Sequence, residues 1–347
     1  RGEEFTYTID NLLTYSKTFA GHSIDALVGT SWMREYYRSM SLATINDLGG
    51  TEITGFSSVD GKISAGDSNA ALLSFFARLN YDYKDRYLLS ASIRRDESSK
   101  FYKDNRVGYF PSVSAGWNAH QESWFANPVV SKLKIRASYG ELGANFLSPY
   151  NFDAIAYGPI PYTLGGVRYT SGRAAYLKSR ELKWETAKTT DIGLELGFLN
   201  NDLTVQVDYF VKKNVDLLAQ IDLNLSSGQI FEINSSREKP YVNSASVKNT
   251  GWEFLVNYRK QLTKDFSIDA TLNLSTLKNE VLSLGDNVQP ITSGAMSSSF
   301  SDSPSITKPG EAIGSFYGYK INGFDADGNF IFADTDNSGS VDANDKV

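Results

Sequence analysis

Apolar and polar residues alternate with a period of two through most of this chain, the pattern of strands with one apolar and one wet face. In one segment Ile192, Leu194, Leu196 and Phe198 oppose Asp191, Gly193, Glu195 and Gly197. In the next, Val205, Val207, Tyr209 and Val211 oppose Gln206, Asp208 and Lys212, with Phe210 the one break. The connector Asn200-Asn201-Asp202 is made of residues that tolerate left-handed backbone and form Asx turns, so the two segments are expected to pair as a hairpin. The plan recurs where Phe75, Ala77, Leu79, Tyr81 and Tyr83 lead through Lys84-Asp85-Arg86 into Leu89, Ala91 and Ile93. It recurs again where Trp252, Phe254, Val256 and Tyr258 lead through Thr263-Lys264-Asp265 into Phe266, Ile268, Ala270, Leu272 and Leu274. A first hairpin is expected to turn at Ala20-Gly21-His22.

Between hairpins lie longer polar connections, over residues 45–70, 143–183, 219–240 and 284–312, rich in Gly, Ser, Asn and Tyr. One short turn is replaced by residues 121–128, which predict a helical turn ended by Pro128 before the strand of Leu133, Ile135, Ala137 and Tyr139. About ten strands are predicted, with an eleventh over residues 315–321. A soluble β-sandwich alternates too, with its apolar face inward, so alternation by itself leaves that fold open. The regular exchange of short turns for long loops favours an antiparallel transmembrane β-barrel, which has short periplasmic turns and long extracellular loops. Aromatic residues gather beside the short turns: Tyr81, Tyr83 and Tyr87 at one, Phe198 at another, Tyr258 and Phe266 at a third. They fit an interfacial girdle, and equally the general preference of such residues for strands.

Composition narrows the classes. The 347 residues are 41% hydrophobic and 13% aromatic with only 9 prolines, as a folded all-β chain requires. A net charge of -6 leaves no basic field for a phosphate backbone, so nucleic acid is excluded as a partner class. With no cysteine, neither a disulfide framework nor a thiolate nucleophile or metal site exists. No apolar run is long enough for a membrane-spanning helix, and a mean hydropathy of -0.31 is compatible with spanning strands, whose alternation cancels in an average.

The run RDESSKFYKDNRVGYFPSVSAGW at residues 95–117 resembles the most distinctive internal segment of SusC/RagA-type TonB-dependent outer-membrane receptors of the Bacteroidetes. It is flanked by FFARLNYDYKDRYLLSASIR and SKLKIRASYGELGAN, which resemble that family's neighbouring strands. WETAKTTDIGLELGFLNNDLTVQVDYFVKKNVDLL, VKNTGWEFLVNY, IGSFYGYKINGF and DTDNSGSVDANDKV resemble its later segments, so the likeness covers essentially the whole chain. It implies an outer-membrane protein in which residues 1–347 form part of one 22-stranded barrel. The plug and first strands are expected before residue 1 and the final strands after residue 347. It further implies active import of oligomeric nutrients, glycan in preference to peptide, driven by TonB and shared with a SusD-like surface lipoprotein, with membrane lipid around the wall. Another TonB-dependent receptor or a passive porin is the first alternative; a soluble β-sandwich adhesin or carbohydrate-binding module is the second.

Within residues 310–347, a strand is expected to lead into an acidic loop. Asp334, Asp336, Ser338, Gly339, Ser340 and Asp345 stand at positions 1, 3, 5, 6, 7 and 12 of a calcium-loop spacing, hard oxygens at alternate positions with glycine at the sharp turn. Asp345 replaces the usual bidentate Glu and no flanking helices are evident, so structural Ca2+ competes with a bare Asx-rich turn. The segment Asp325–Asn329 upstream reads as a simple hairpin turn. In the 143–183 connection Tyr150, Phe152, Tyr157, Tyr162, Tyr169 and Tyr176 offer faces for sugar rings or peptide side chains, or pack the loop on itself or on the lipoprotein. For an enzyme the inventory is thin: His22 and His120 both fall beside predicted turns, and no nucleophile or metalloprotease motif is present.

Overall fold

A computed structural model describes residues 2–43, 62–150, 152, 156–174, 179–220, 241–285, 288–294 and 304–347. Ten long antiparallel strands carry the chain among the described residues: β1 (Gly2–Phe19), β2 (His22–Ala43), β3 (Lys62–Tyr83), β4 (Tyr87–Ser98), β5 (Val107–Asn118) and β6 (Val130–Ala144), then, after a hairpin of β7 (Ala156–Leu164) and β8 (Val167–Ala174), β9 (Glu185–Phe198), β10 (Leu203–Gln220), β11 (Tyr241–Gln261) and β12 (Ser267–Ser275). Shorter strands follow: β13 (Lys278–Ser283), β14 (Ile291–Ser293), β15 (Ser305–Thr307), β16 (Ser315–Phe316), β17 (Ile321–Phe324) and β18 (Phe330–Phe332). No described helix is long and apolar enough to cross a membrane.

The chain divides into two compact units, Arg1–Ser114 with Leu142–Trp184, and Ala115–Glu141 with Glu185–Val347. In the first, β1 to β4 pair in sequence order. The β1–β2 connection is the two residues Ala20 and Gly21, at φ 49° and 83°, a conformation that glycine adopts without cost and that matches the twist of the strands it joins. Register then decides each strand's faces: Leu13, Val28, Ala77 and Ile93 fall in one row across four strands. That row is not buried under a second sheet, for Leu13 is 70% exposed and Ile93 49%.

The second unit repeats the plan with β9, β10, β11 and β12, and β13 extends the pairing along β11. The turn after β9 holds Leu199, Asn200 and Asn201 all at positive φ, as the Asn-rich connector predicts.

Five expectations change: the 284–312 connection, for one, holds β14 and β15, which pair antiparallel. β3 starts at Lys62, so the 45–70 connection is shorter than its polarity suggests. The 143–183 connection contains the β7–β8 hairpin, whose Gly165-Gly166 turn punctuates it. The helical turn expected at 121–128 is a single 3-10 turn at Ala119–Gln121, with Asn127 Oδ1 accepting the amides of Val129 and Val130 to open β6. The single strand expected over 315–321 is broken between β16 and β17, because Tyr317 bonds to Pro304 and Gly318 exchanges two backbone hydrogen bonds with Val347 instead of continuing along one partner.

Candidate functional site

In the second unit the polar face of the sheet carries the chemistry. Alternation puts Lys132, Lys134 and Arg136 of β6 on the same side as Asp191 and Glu195 of β9 and Asp208 of β10, and there they meet. Lys132 Nζ donates to Glu195 at 2.8 Å, with Lys134 Nζ 3.6 Å from its other oxygen. The Arg136 guanidinium lies 3.0 Å from Asp191, 3.5 Å from Glu195 and 2.6 Å from Asp208. Asp208 Oδ1 is closed to solvent and has the Arg136 charge as its partner, without a hydrogen bond of good geometry. Three cations thus balance three carboxylates. Room for them comes from Gly193, where a Cβ would run into Asp208 Oδ1 and the Arg136 guanidinium.

Around this network burial is inverted relative to a water-soluble protein. The Glu195 and Asp208 side chains are 14% and 13% exposed, whereas Ile192 is 56% exposed and Trp252 47% on the opposite face. A soluble sandwich would bury the apolar face and wet the charged one. A membrane barrel does the reverse, with lipid against the apolar face and charge turned inward.

In the first unit the RDESSKFYKDNRVGYF segment builds a packed knot at the strand ends remote from the short turns. Phe101 is fully buried, its ring centroid 5.2 Å from that of Trp184, which also takes the edge of Phe110 at 5.4 Å. Trp184 Nε1 donates to Arg106 O at 2.9 Å, so the indole is satisfied as well as buried. Arg94 donates to both oxygens of Asp96 and to Ser74, a polar clamp beneath the knot. Sequence reasoning noticed the segment only as a resemblance; its spaced aromatics were the available signal.

The predicted loop aromatics separate. Phe152 is buried against Tyr102 at 5.9 Å and packs its own loop. Tyr150, at φ 62°, and Tyr169 are each 44% exposed. Tyr157 and Tyr162 lie on β7, Tyr162 facing Tyr169 of β8 in register. Tyr176 lies outside the described residues.

In the acidic loop, carboxylate oxygens of Asp334, Asp336 and Asp345 lie within 4.8 Å of one another. Asp334 accepts the amides of Ser338 and Gly339, and Asp336 that of Ser338, with Asn337 and Gly339 at positive φ. Ser338 Oγ donates to Ser340 O at 3.0 Å. Asp345 is fully buried and completes the capping box of the 3-10 turn Ala343–Asp345, accepting the amide of the N-cap residue Asp342, whose own carboxylate accepts from Asn344. The amide of Asp342, then those of Thr335 and Asp336, hold the Asp345 carboxyl below the ordinary aspartate range against the opposing effect of burial. Asp325 upstream closes the β17–β18 hairpin, as predicted, by accepting from Asp327 and Asn329.

Both histidines sit at turns. His22 Nδ1 lies 2.8 Å from Tyr81 Oη and its ring packs on Tyr83, while His120 Nδ1 lies 3.0 Å from Leu133 O.

Residues 2–343 match the sequence model described as TonB dependent receptor-like, beta-barrel. TonB-dependent receptor P3 of Formosa agariphila is 31% identical over 360 residues, covering 97% of this chain and 35% of that protein. TonB-dependent receptor SusC of Bacteroides thetaiotaomicron is 33% identical over 291 residues, covering 80% of this chain and 28% of that protein. Among solved structures, the RagAB peptide importer in its closed-closed state superposes with a TM-score of 0.77 at 22% identity, covering 99% of this chain and 38% of that one, a likeness of fold. The chain therefore spans about a third of the length of the curated relatives it matches.

Proposed function

This chain belongs to the TonB-dependent receptor family of outer-membrane β-barrels, and from that premise we propose that its strands form part of the wall of an importer for an oligomeric nutrient. The inverted burial carries the proposal: ion-paired charge on one face of the sheet and exposed apolar side chains on the other suit a wall between water and lipid. A network in which Lys132, Lys134 and Arg136 pair with Asp191, Glu195 and Asp208 suits a wetted passage.

The cargo we propose is a glycan, with a peptide as the competing class. The exposed rings of Tyr150 and Tyr169 support this, since flat aromatic faces accept sugar rings at little cost in side-chain entropy. Tyr157, Tyr162 and Tyr176 are proposed for the same surface, or for the contact with a SusD-like lipoprotein that hands the cargo over. Energy would come through TonB. The test is to recover the full-length protein from outer membranes in mild detergent, identify what co-purifies by mass spectrometry, and titrate the complex with glycan and peptide panels. A bound lipoprotein and a saturable glycan support the reading; a protein that comes alone and binds neither panel refutes it.

For the acidic loop we propose calcium. The residues fit: three carboxylates, the Ser338 hydroxyl and the Ser340 carbonyl form a hard oxygen set within one twelve-residue turn. An ion there would neutralise Asp334 and Asp336 and fix the turn that follows β18, a structural role.

A further inference from the structure

A row of like charges crosses the apolar face of the second unit beyond Val211. In the register of β10 with β9, Lys213 stands directly opposite Lys188, and in its register with β11 it stands directly opposite Lys248. Like charges in directly opposed positions destabilise a sheet, so three lysines abreast call for an anion to lie across them. The flanking members have carboxylates of their own, Glu141 at 3.3 Å from Lys188 and Glu280 at 3.3 Å from Lys248. Lys213, in the middle, is exposed and makes no ion pair among the described residues.

Position says what the anion is. The row shares the face of Val205, Val207, Tyr209 and Val211, and lies four residues beyond Tyr209, whose ring packs on Trp252 at 4.9 Å. That places it about 13 Å along the strand past an aromatic row, away from the short turn at residues 199–202. In an outer-membrane barrel this is where the apolar band gives way to extracellular headgroups. Lysine stems lie along apolar surface and lift their ammonium groups to that boundary. We propose that Lys188, Lys213 and Lys248 form a site for the phosphate of an anionic lipid in the outer leaflet, its acyl chains against the apolar face below. The site rests on the reading of that face as the one that meets lipid.

The test uses the full-length receptor, purified from outer membranes, titrated in detergent with monophosphoryl lipid A and with the same lipid after enzymatic dephosphorylation, and read by native mass spectrometry. The intact protein should prefer the phosphorylated form. Lys213→Gln should weaken its retention about fivefold and the triple glutamine variant about a hundredfold, the effect expected of basic residues at an anionic membrane surface, whereas Lys213→Arg should retain it. Heat-modifiable migration on gels verifies that each variant is a folded barrel. A folded triple variant that binds both lipids as the wild type does overturns the site alone. So does loss of an acidic co-purifying protein with lipid retention unchanged. Failure to recover a membrane-inserted barrel at all would overturn the underlying reading of the face.

Discussion

Replacing Val207 with arginine separates the wall from any soluble arrangement of the same strands. Val207 faces Leu194 and Phe254 across the sheet, in the middle of the outer-face run on β10 from Leu203 beside the short turn to Val211 below the lysine row. At about 3.3 Å per residue that run is roughly 26 Å long, or about 20 Å in height at a strand tilt near 40°. Val207 thus sits close to the midplane, where an arginine on the lipid face costs roughly 2 to 4 kcal/mol. The adjacent residue provides the control: Gln206→Arg points to the polar face opposite Glu195 and should stay within about 1 kcal/mol of wild type. Thr190→Arg, one row beneath the lysines, should also cost only about 0 to 1 kcal/mol, because cost falls with distance from the midplane. The assay is guanidinium unfolding of the full-length barrel in lipid vesicles, followed by tryptophan emission and compared at constant slope. Equal costs at positions 206 and 207, or at 207 and 190, would refute the assignment of faces.

Three further outcomes follow from the packing. Gly193→Ala should destabilise by roughly 1 to 3 kcal/mol in the same unfolding assay, since the added methyl displaces Arg136 from Asp208; a neutral result would mean the ion pairs are slack. Trp184→Ala should cost roughly 3 to 5 kcal/mol and raise hydrogen exchange of the Arg106 region, whereas unchanged exchange there would show that the aromatic knot does not hold the loop. The acidic loop responds to both calcium and pH. Chelation should speed exchange over residues 334–345, and indifference would favour the bare turn. Because Asp345 has a carboxyl pKa lowered on folding, its contribution is present above the ordinary aspartate range and is lost as pH falls through the folded value, so the loop should loosen on acidification well below pH 4 and Asp345→Asn should abolish that step.

Alternation and turn chemistry were legible because both are local. The side chains of Val205 to Val211 alternate whatever they pack against, and Asn200-Asn201 and Gly21 accept a left-handed turn from their own backbone preferences. The calcium-loop spacing likewise brings Asp334, Asp336 and Asp345 together within one turn, where chain connectivity does the work. What sequence left open was which alternating face is covered, since period two is the same for a sandwich and a barrel. In the second unit, exposure of Ile192 with Glu195 and Asp208 sheltered on the opposite face closed that question for β9 and β10.

Pairings between strands were beyond the sequence, because register is a property of two segments and each side chain's partner shifts with it. Arg136 gives no local sign that it serves Asp191, Glu195 and Asp208, residues 55 or more positions away. Lys188, Lys213 and Lys248 read as three unrelated charges until the ladders set them abreast. Phe152 looks like its exposed neighbours in the loop and is distinguished only by Tyr102 closing over it. The chain alone determined strands, turns, the metal-loop spacing and a family resemblance; tertiary structure decided the faces, the charge network and the lysine row, since these depend on which distant backbones lie side by side.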